Sequence, residues 1–194
     1  MSSSDFTEKQ LSSRSVFDGQ MLRVHVDEVR LPDGGRSVRE YVRHPGAVVM
    51  LAFTDAGEIL IERQFRYPLG AHMLELPAGK IEPGEDPLLT AQRELLEETG
   101  YRAARWRYLA TVHPCVGYSD ERLIYYLAEG LRFEGAQLDH GEFLETLRVP
   151  LREALEWVRQ GRITDGKTVA GLLWADRLSR GEWTPPQGGA ATPG

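Results

Sequence analysis

Between Gly79 and Tyr101 the chain reads GKIEPGEDPLLTAQRELLEETGY, a Pro/Gly-rich loop that runs into a helix. Pro87 suits a first helical position, Asp86 before it can cap the free N–H groups, and Gly100 fits the stop as a left-handed residue just past the last turn. At about 100° per residue, Leu88, Ala91, Leu95, Leu89 and Leu96 fall on one broad arc, while Glu94, Glu97 and Glu98 fall together on another. The helix therefore has a core face and a carboxylate face.

A run of acidic residues is ordinarily a solvated surface, and that reading fits badly here. Glu94 and Glu98 are like charges at i,i+4, and all three glutamates lie towards the negative end of the helix dipole. A cation offsets both penalties. Mg²⁺, with Mn²⁺ as the alternative, is a hard ion ligated by carboxylates, water and substrate phosphates, and does so directly.

The full spacing is Gly79, five residues, Glu85, seven residues, Arg93-Glu94-Leu95, one residue, Glu97-Glu98, one residue, Gly100, then an apolar position. This pattern resembles the Nudix box, the signature of Nudix hydrolases, with Tyr101 where that family more often has an aliphatic residue. The resemblance implies an α/β chain folded as a Nudix α/β/α sandwich with a mixed sheet. It also implies Mg²⁺-dependent cleavage of a diphosphate linked to another moiety. By the same resemblance the metal falls to Glu94, Glu98 and the Ala78 carbonyl with help from Glu97, and Glu85 and Arg93 tie the loop to the helix.

The 194 residues, 41% of them hydrophobic, provide for one substantial core and a small accessory domain. One cysteine, Cys115, leaves no intramolecular disulfide. The polar start lacks a signal-peptide pattern and no apolar run reaches about 18 residues, so a cytoplasmic protein without a membrane partner is expected. A net charge of −6 argues against a nucleic-acid surface. An anionic substrate must therefore be received by metal and a few placed arginines.

Three segments are expected: an N-terminal β subdomain at 1–45, a catalytic domain at 46–183 and a flexible Pro/Gly-rich tail at 184–194. Residues up to about 13 are Ser-rich and read as frayed. Residues 22–29 alternate apolar and polar, Pro32-Asp33-Gly34-Gly35 is turn chemistry, and 37–43 extends again, which together make a small antiparallel sheet. The apolar run 47–53 fits a strand buried on both faces. Further strands are expected at 58–62, 73–76, 108–112 and 123–128, with helices near 151–160 and 167–178.

Arg63-Gln64-Phe65-Arg66 lies just upstream of the box, and arginines in a surface loop are usually only solvated. Yet the stretch through Glu75-Leu76-Pro77-Ala78-Gly79 is similar to the ADP-ribose pyrophosphatase branch of the family, whose arginine at the Arg66 position contacts the substrate diphosphate. Arg63 is the second candidate. Gly141-Glu142-Phe143-Leu144-Glu145 resembles the loop that carries the catalytic glutamate in that branch, matching at Glu142, with Glu145 and Asp139 as fallbacks. Glu97, Glu98 and Glu142 are thus the catalytic candidates. His25, His113 and Cys115 read as ordinary polar positions.

The loop 113–122 is long for a hairpin and a candidate substrate wall. The branch commonly has proline fifteen positions beyond the box, where Val116 stands here. That departure implies a broadened choice among nucleoside diphosphate sugars. The expected reaction gives a nucleoside monophosphate and a sugar phosphate, and the resemblance also implies a homodimer joined through the N-terminal sheet. The alternatives are hydrolysis of other nucleotide diphosphate derivatives (NADH, nucleoside triphosphates, capped RNA) or a non-catalytic nucleotide-sensing module, which typically loses the box glutamates.

Overall fold

A computed structural model describes residues 5–138, 141 and 143–186, and the chain divides into two compact units. The smaller comprises Met1–Pro45 with Cys115–Arg122, the larger Gly46–Pro114 with Leu123–Gly194. The segment 115–122, expected only as a loop, thus groups with the N-terminal residues.

The smaller unit is an antiparallel sheet of β1 (Lys9–Asp18), β2 (Arg23–Arg30) and β3 (Arg36–Arg43) in that order. Asp33 and Gly34 make the turn between β2 and β3: the Asp33 carboxylate accepts from Gly35 N–H at 2.8 Å and Gly34 has φ 90°. Beyond β3, Val42 N–H donates to the Tyr118 carbonyl at 2.8 Å, and Asp120 accepts from Arg43 at 2.9 Å and from the His44 backbone at 2.8 Å. The expectation of a frayed start is corrected by β1, which runs from Lys9. Every residue of β1 is exposed, so it has no apolar alternation to betray it, and backbone pairing with β2 holds it in place.

In the larger unit, β4 (Ala47–Phe53), β5 (Glu58–Arg66), β8 (Tyr101–Val112), β9 (Leu123–Phe133) and β10 (Leu144–Pro150) form a sheet ordered β10-β5-β4-β9-β8. Two short strands complete it, β6 (Ala71–Glu75) on β5 and β7 (Ala78–Lys80) on β4. The sheet is mixed, because β4 runs parallel to β9, with Ala47 opposite Leu123, while the other pairings are antiparallel. Several elements are longer or newer than the sequence implied: β5 runs on to Arg66, so Arg63 and Arg66 lie in a strand and not in a loop, β8 starts at Tyr101, β9 runs on to Phe133, and β7 and β10 occupy residues read as loop.

The period-two alternation of β4 builds both layers of core. Val48, Met50 and Ala52 pack with Leu60, Ala91 and Leu95 beneath α1 (Pro87–Thr99). Val49 and Leu51 pack with Ile59, Ile61, Ala154 and Leu172 beneath α2 (Leu151–Arg159) and α3 (Gly166–Ser179). Each such side chain stabilises by about 1.5–3 kcal/mol relative to exposure. The result is a sheet with helices on both faces. Gly171 lets α3 approach closely, since a Cβ there would lie 2.4 Å from Leu76 Cδ1.

Candidate active site

Helix α1 starts and stops where the sequence places it. The Asp86 side chain accepts from Leu88 N–H at 2.9 Å and Leu89 N–H at 3.3 Å, and Gly100 closes the helix at φ 76°. Its faces differ in detail from the helical wheel: Leu89 is 58% exposed, and Glu98 is buried.

Arg93 gathers the acidic residues. Its Nε and Nη2 donate to Glu85 at 3.0 Å each, tying the loop to the helix, and its Nη1 donates to Glu94 and Glu97 at 2.9 Å each. Glu85 is held down at about 2 by the Arg93 hydrogen bonds, and Arg93 is raised in turn, first by Glu85 and then by Glu94 and Glu97. With Glu94 and Glu97 drawn onto this guanidinium, no three Asp, Glu, His or Cys side chains among the described residues are grouped so as to hold a metal ion.

The donor set nevertheless suits a hard divalent ion. Its candidates, the Ala78 carbonyl and the carboxylates of Glu94, Glu97 and Glu98, are oxygen throughout, and the carboxylates stand at a helix end where negative charge is disfavoured. Gly79 supplies the room: a Cβ there would lie 2.0 Å from Glu94 Cδ, so only glycine leaves that carboxylate its place over the loop. Pairing with β4 fixes the same loop, with Ala78 opposite Val49, Gly79 opposite Val48, and Met50 N–H donating to the Pro77 carbonyl at 2.9 Å.

A second charged cluster flanks the first. Arg66 ends β5, and its Nε and Nη2 donate side-on to Glu75 at 2.6 and 2.9 Å. Glu75 is buried on β6 and also accepts from Lys167 Nζ, which in turn donates to Asp165 at 2.9 Å. Burial works to raise the Glu75 pKa, and the Arg66 hydrogen bonds with the Lys167 charge overcome it, leaving the pKa lowered. The Arg66 pKa is raised, chiefly by Glu75, with smaller contributions from the charges of Asp165 and Glu98.

Arg63 is placed differently, half-exposed on β5, with Nη1 3.8 Å from Glu145 on β10. These two candidates therefore face each other across a strand pair. Glu142 and Asp139 lie outside the described residues. The sequence reading passes over Glu75, Asp165 and Lys167. One signal was available: a lysine in the first turn of a helix opposes the dipole and asks for an acidic partner.

Comparison with known proteins agrees with this architecture. Residues 42–171 match the NUDIX domain model, and residues 8–42 match the nucleoside diphosphate sugar hydrolase N-terminal domain. An ADP-ribose pyrophosphatase of Bacillus subtilis (strain 168) is 43% identical over 169 residues, 86% of this chain and 91% of that one. A methanol dehydrogenase activator of Bacillus methanolicus is 43% identical over 171 residues, 87% and 92% of the two chains. An ADP-ribose pyrophosphatase of Mycobacterium tuberculosis (strain ATCC 25618 / H37Rv) is 38% identical over 184 residues, 93% and 88%. Among solved structures, an ADP compounds hydrolase superposes with TM-score 0.83 at 22% identity, covering 93% of this chain and 98% of that one, which is a likeness of fold. With its box intact and its domain model matched over most of its length, the chain belongs to the Nudix family and is a Nudix pyrophosphohydrolase.

Proposed function

We propose that the protein hydrolyses the diphosphate of ADP-ribose and related nucleoside diphosphate sugars, giving a nucleoside monophosphate and a sugar phosphate, with Mg²⁺ as its ion. One observation carries the reading: Arg66 is locked side-on to the buried Glu75, on the strand that leads into the box, in a chain similar to ADP-ribose pyrophosphatases over most of its length.

Glu94, Glu98 and the Ala78 carbonyl, helped by Glu97, are the groups that would hold the ion. Bound there, it would neutralise the diphosphate and act as a Lewis acid on phosphorus. Arg66 has a planar fork, and its pair with Glu75 uses Nε and Nη2, leaving Nη1 outside that pair on a side chain that is 42% exposed. That edge can bind a diphosphate oxygen and align it for in-line attack. The attacking water forms the new P–O bond as the bridging P–O bond breaks, and a carboxylate takes the proton. Glu142 is the candidate for that role through its resemblance to the family's loop glutamate, with Glu97 and Glu98 beside the diphosphate.

A homodimer working in the cytoplasm completes the proposal. A three-stranded sheet with Val16 and Phe17 exposed on its edge strand, and Leu22 exposed just after it, holds little core alone and gains from a partner copy. Sedimentation at micromolar concentration checks it, and a single-chain mass would refute it. The activity is tested by product identification on ADP-ribose, GDP-mannose, UDP-glucose, NADH and dGTP. The expected result is AMP and ribose 5-phosphate from ADP-ribose, with GDP-mannose also accepted, since Val116 rather than proline stands in the loop 113–122. Failure to cleave any nucleotide sugar would overturn the reading.

A further inference from the structure

Lys167 belongs to a continuous hydrogen-bonded chain that begins beside the box and ends at Arg66. Leu76 N–H donates to Thr168 Oγ1 at 2.8 Å, and that hydroxyl donates to Asp165 Oδ2 at 2.6 Å. Asp165 also caps α3 through Thr168 N–H at 3.0 Å and accepts from Lys167 Nζ at 2.9 Å. Lys167 reaches on to Glu75 Oε2, whose carboxylate receives Arg66. Tyr125 fixes the same helix start by donating to the Lys167 carbonyl at 2.8 Å, and Gly171 brings α3 close enough for these contacts.

Charge explains why a lysine is needed. Glu75 is 4% exposed and sits directly opposite Glu62, also 4% exposed, in the β5–β6 register, with Asp165 close by. Arg66 alone would leave this pocket with excess negative charge, and Arg66 is also the group expected to lend part of its charge to a diphosphate. A second cation that never leaves the pocket keeps Glu75 ionised and stationary while the outer edge of Arg66 engages another anion. The lysine is well placed to stay, with a side chain only 15% exposed and held by two carboxylates.

We propose that Lys167 is a positioning residue for the hydrolytic reaction: through Glu75 it sets the orientation in which Arg66 meets the diphosphate of the substrate. The proposal rests on the reading of Arg66 as the diphosphate contact.

The test is a double-mutant cycle on the full-length enzyme with ADP-ribose, using Lys167→Met, Arg66→Ala and the double variant. Lys167→Met should lower kcat/KM by about tenfold to a hundredfold in the presence of Arg66 and by less than about threefold in its absence, as expected for groups acting through one network. A purely structural role would cost the same factor in both backgrounds, and that additive outcome would overturn the proposal. If Lys167→Met does not fold, Lys167→Arg replaces it in the same cycle. Its fork cannot reproduce the single ammonium bridge, so a smaller loss is expected that again vanishes without Arg66. Additivity there is equally fatal. Should Arg66→Ala itself leave kcat/KM unchanged, the reading of Arg66 fails and the proposal falls with it. If Arg66→Ala is impaired and Lys167→Met is not, only the proposal fails.

Discussion

Two arginines of the larger unit, Arg66 and Arg93, sit among carboxylates in clusters of different character. Arg66 and Lys167 both donate to the buried Glu75, Lys167 donates to Asp165 as well, and buried Glu62 stands opposite Glu75. Arg93 donates to Glu85, Glu94 and Glu97, with Glu98 on the same helix end. A hydrogen-bonded cluster around a buried acid behaves as a fixture, because removing one member strands a charge in a low-dielectric site. An acid-rich cluster at the negative end of a helix is a standing demand for one more cation. The first can orient a substrate, and the second can hold the ion that neutralises it.

The sharpest test of this contrast is Glu98→Gln. Activity should fall by more than about a hundredfold, since even the outer partners of metal ligands typically cost 10–100-fold. The thermal midpoint without metal should change little, and the rise in midpoint that Mg²⁺ gives the native chain should shrink. A rate within a few-fold of native at saturating Mg²⁺ would break the contrast.

Arg66→Lys comes next, with an expected loss in kcat/KM of about ten- to a hundredfold. An ammonium keeps the charge but cannot hold Glu75 with one edge while offering another to the diphosphate. Steady-state kinetics on ADP-ribose decide it, and native kinetics would show that charge alone suffices.

At the acid-rich cluster the effect should appear in stability. Arg93→Met removes the one cation shared by three carboxylates. With its side chain 34% exposed and screened by solvent, the metal-free chain should lose only about 1 kcal/mol. Mg²⁺ should recover more stability in this variant than in the native chain, because the carboxylates lose their competing partner. Urea titrations with and without Mg²⁺ check this, and an unchanged response to Mg²⁺ would count against it.

The smallest effect is the pH dependence of the Glu85–Arg93 pair. The folded-state pKa of Glu85 lies below its ordinary 4.5, at about 2, so its stabilisation is complete above about 4.5 and lost as pH falls towards 2. The stability gap between the native chain and Glu85→Gln, read from urea melts, should therefore close across that interval. A gap that stays constant down to pH 2 would contradict the pairing.

The carboxylate helix was legible because it is local: its cap, its stop and its acidic spacing all lie within 23 consecutive residues. The continuous apolar run of β4 was equally plain. By contrast, β1 hid because all its residues are exposed, so backbone pairing alone specifies it. β10 hid behind loop-like residues, and the partner of Arg63 became visible only through its register with β5. The Arg66 cluster joins β5, β6 and the start of α3, residues brought together by tertiary structure, and no spacing rule links position 75 to position 167.

The parallel pairing of β4 with β9 carries a kinetic consequence. Ala47 meets Leu123 only after the whole stretch between them has been laid down, and such distant pairings close slowly because loop entropy is lost before contacts repay it. Helix α1 can form from its own short segment, whereas the fixture around Arg66 waits for a lysine near the far end of the fold. On refolding from denaturant, helical signal should therefore return before catalytic competence. The lag between the two would measure how long the molecule holds the groups for its metal without yet being able to aim its substrate.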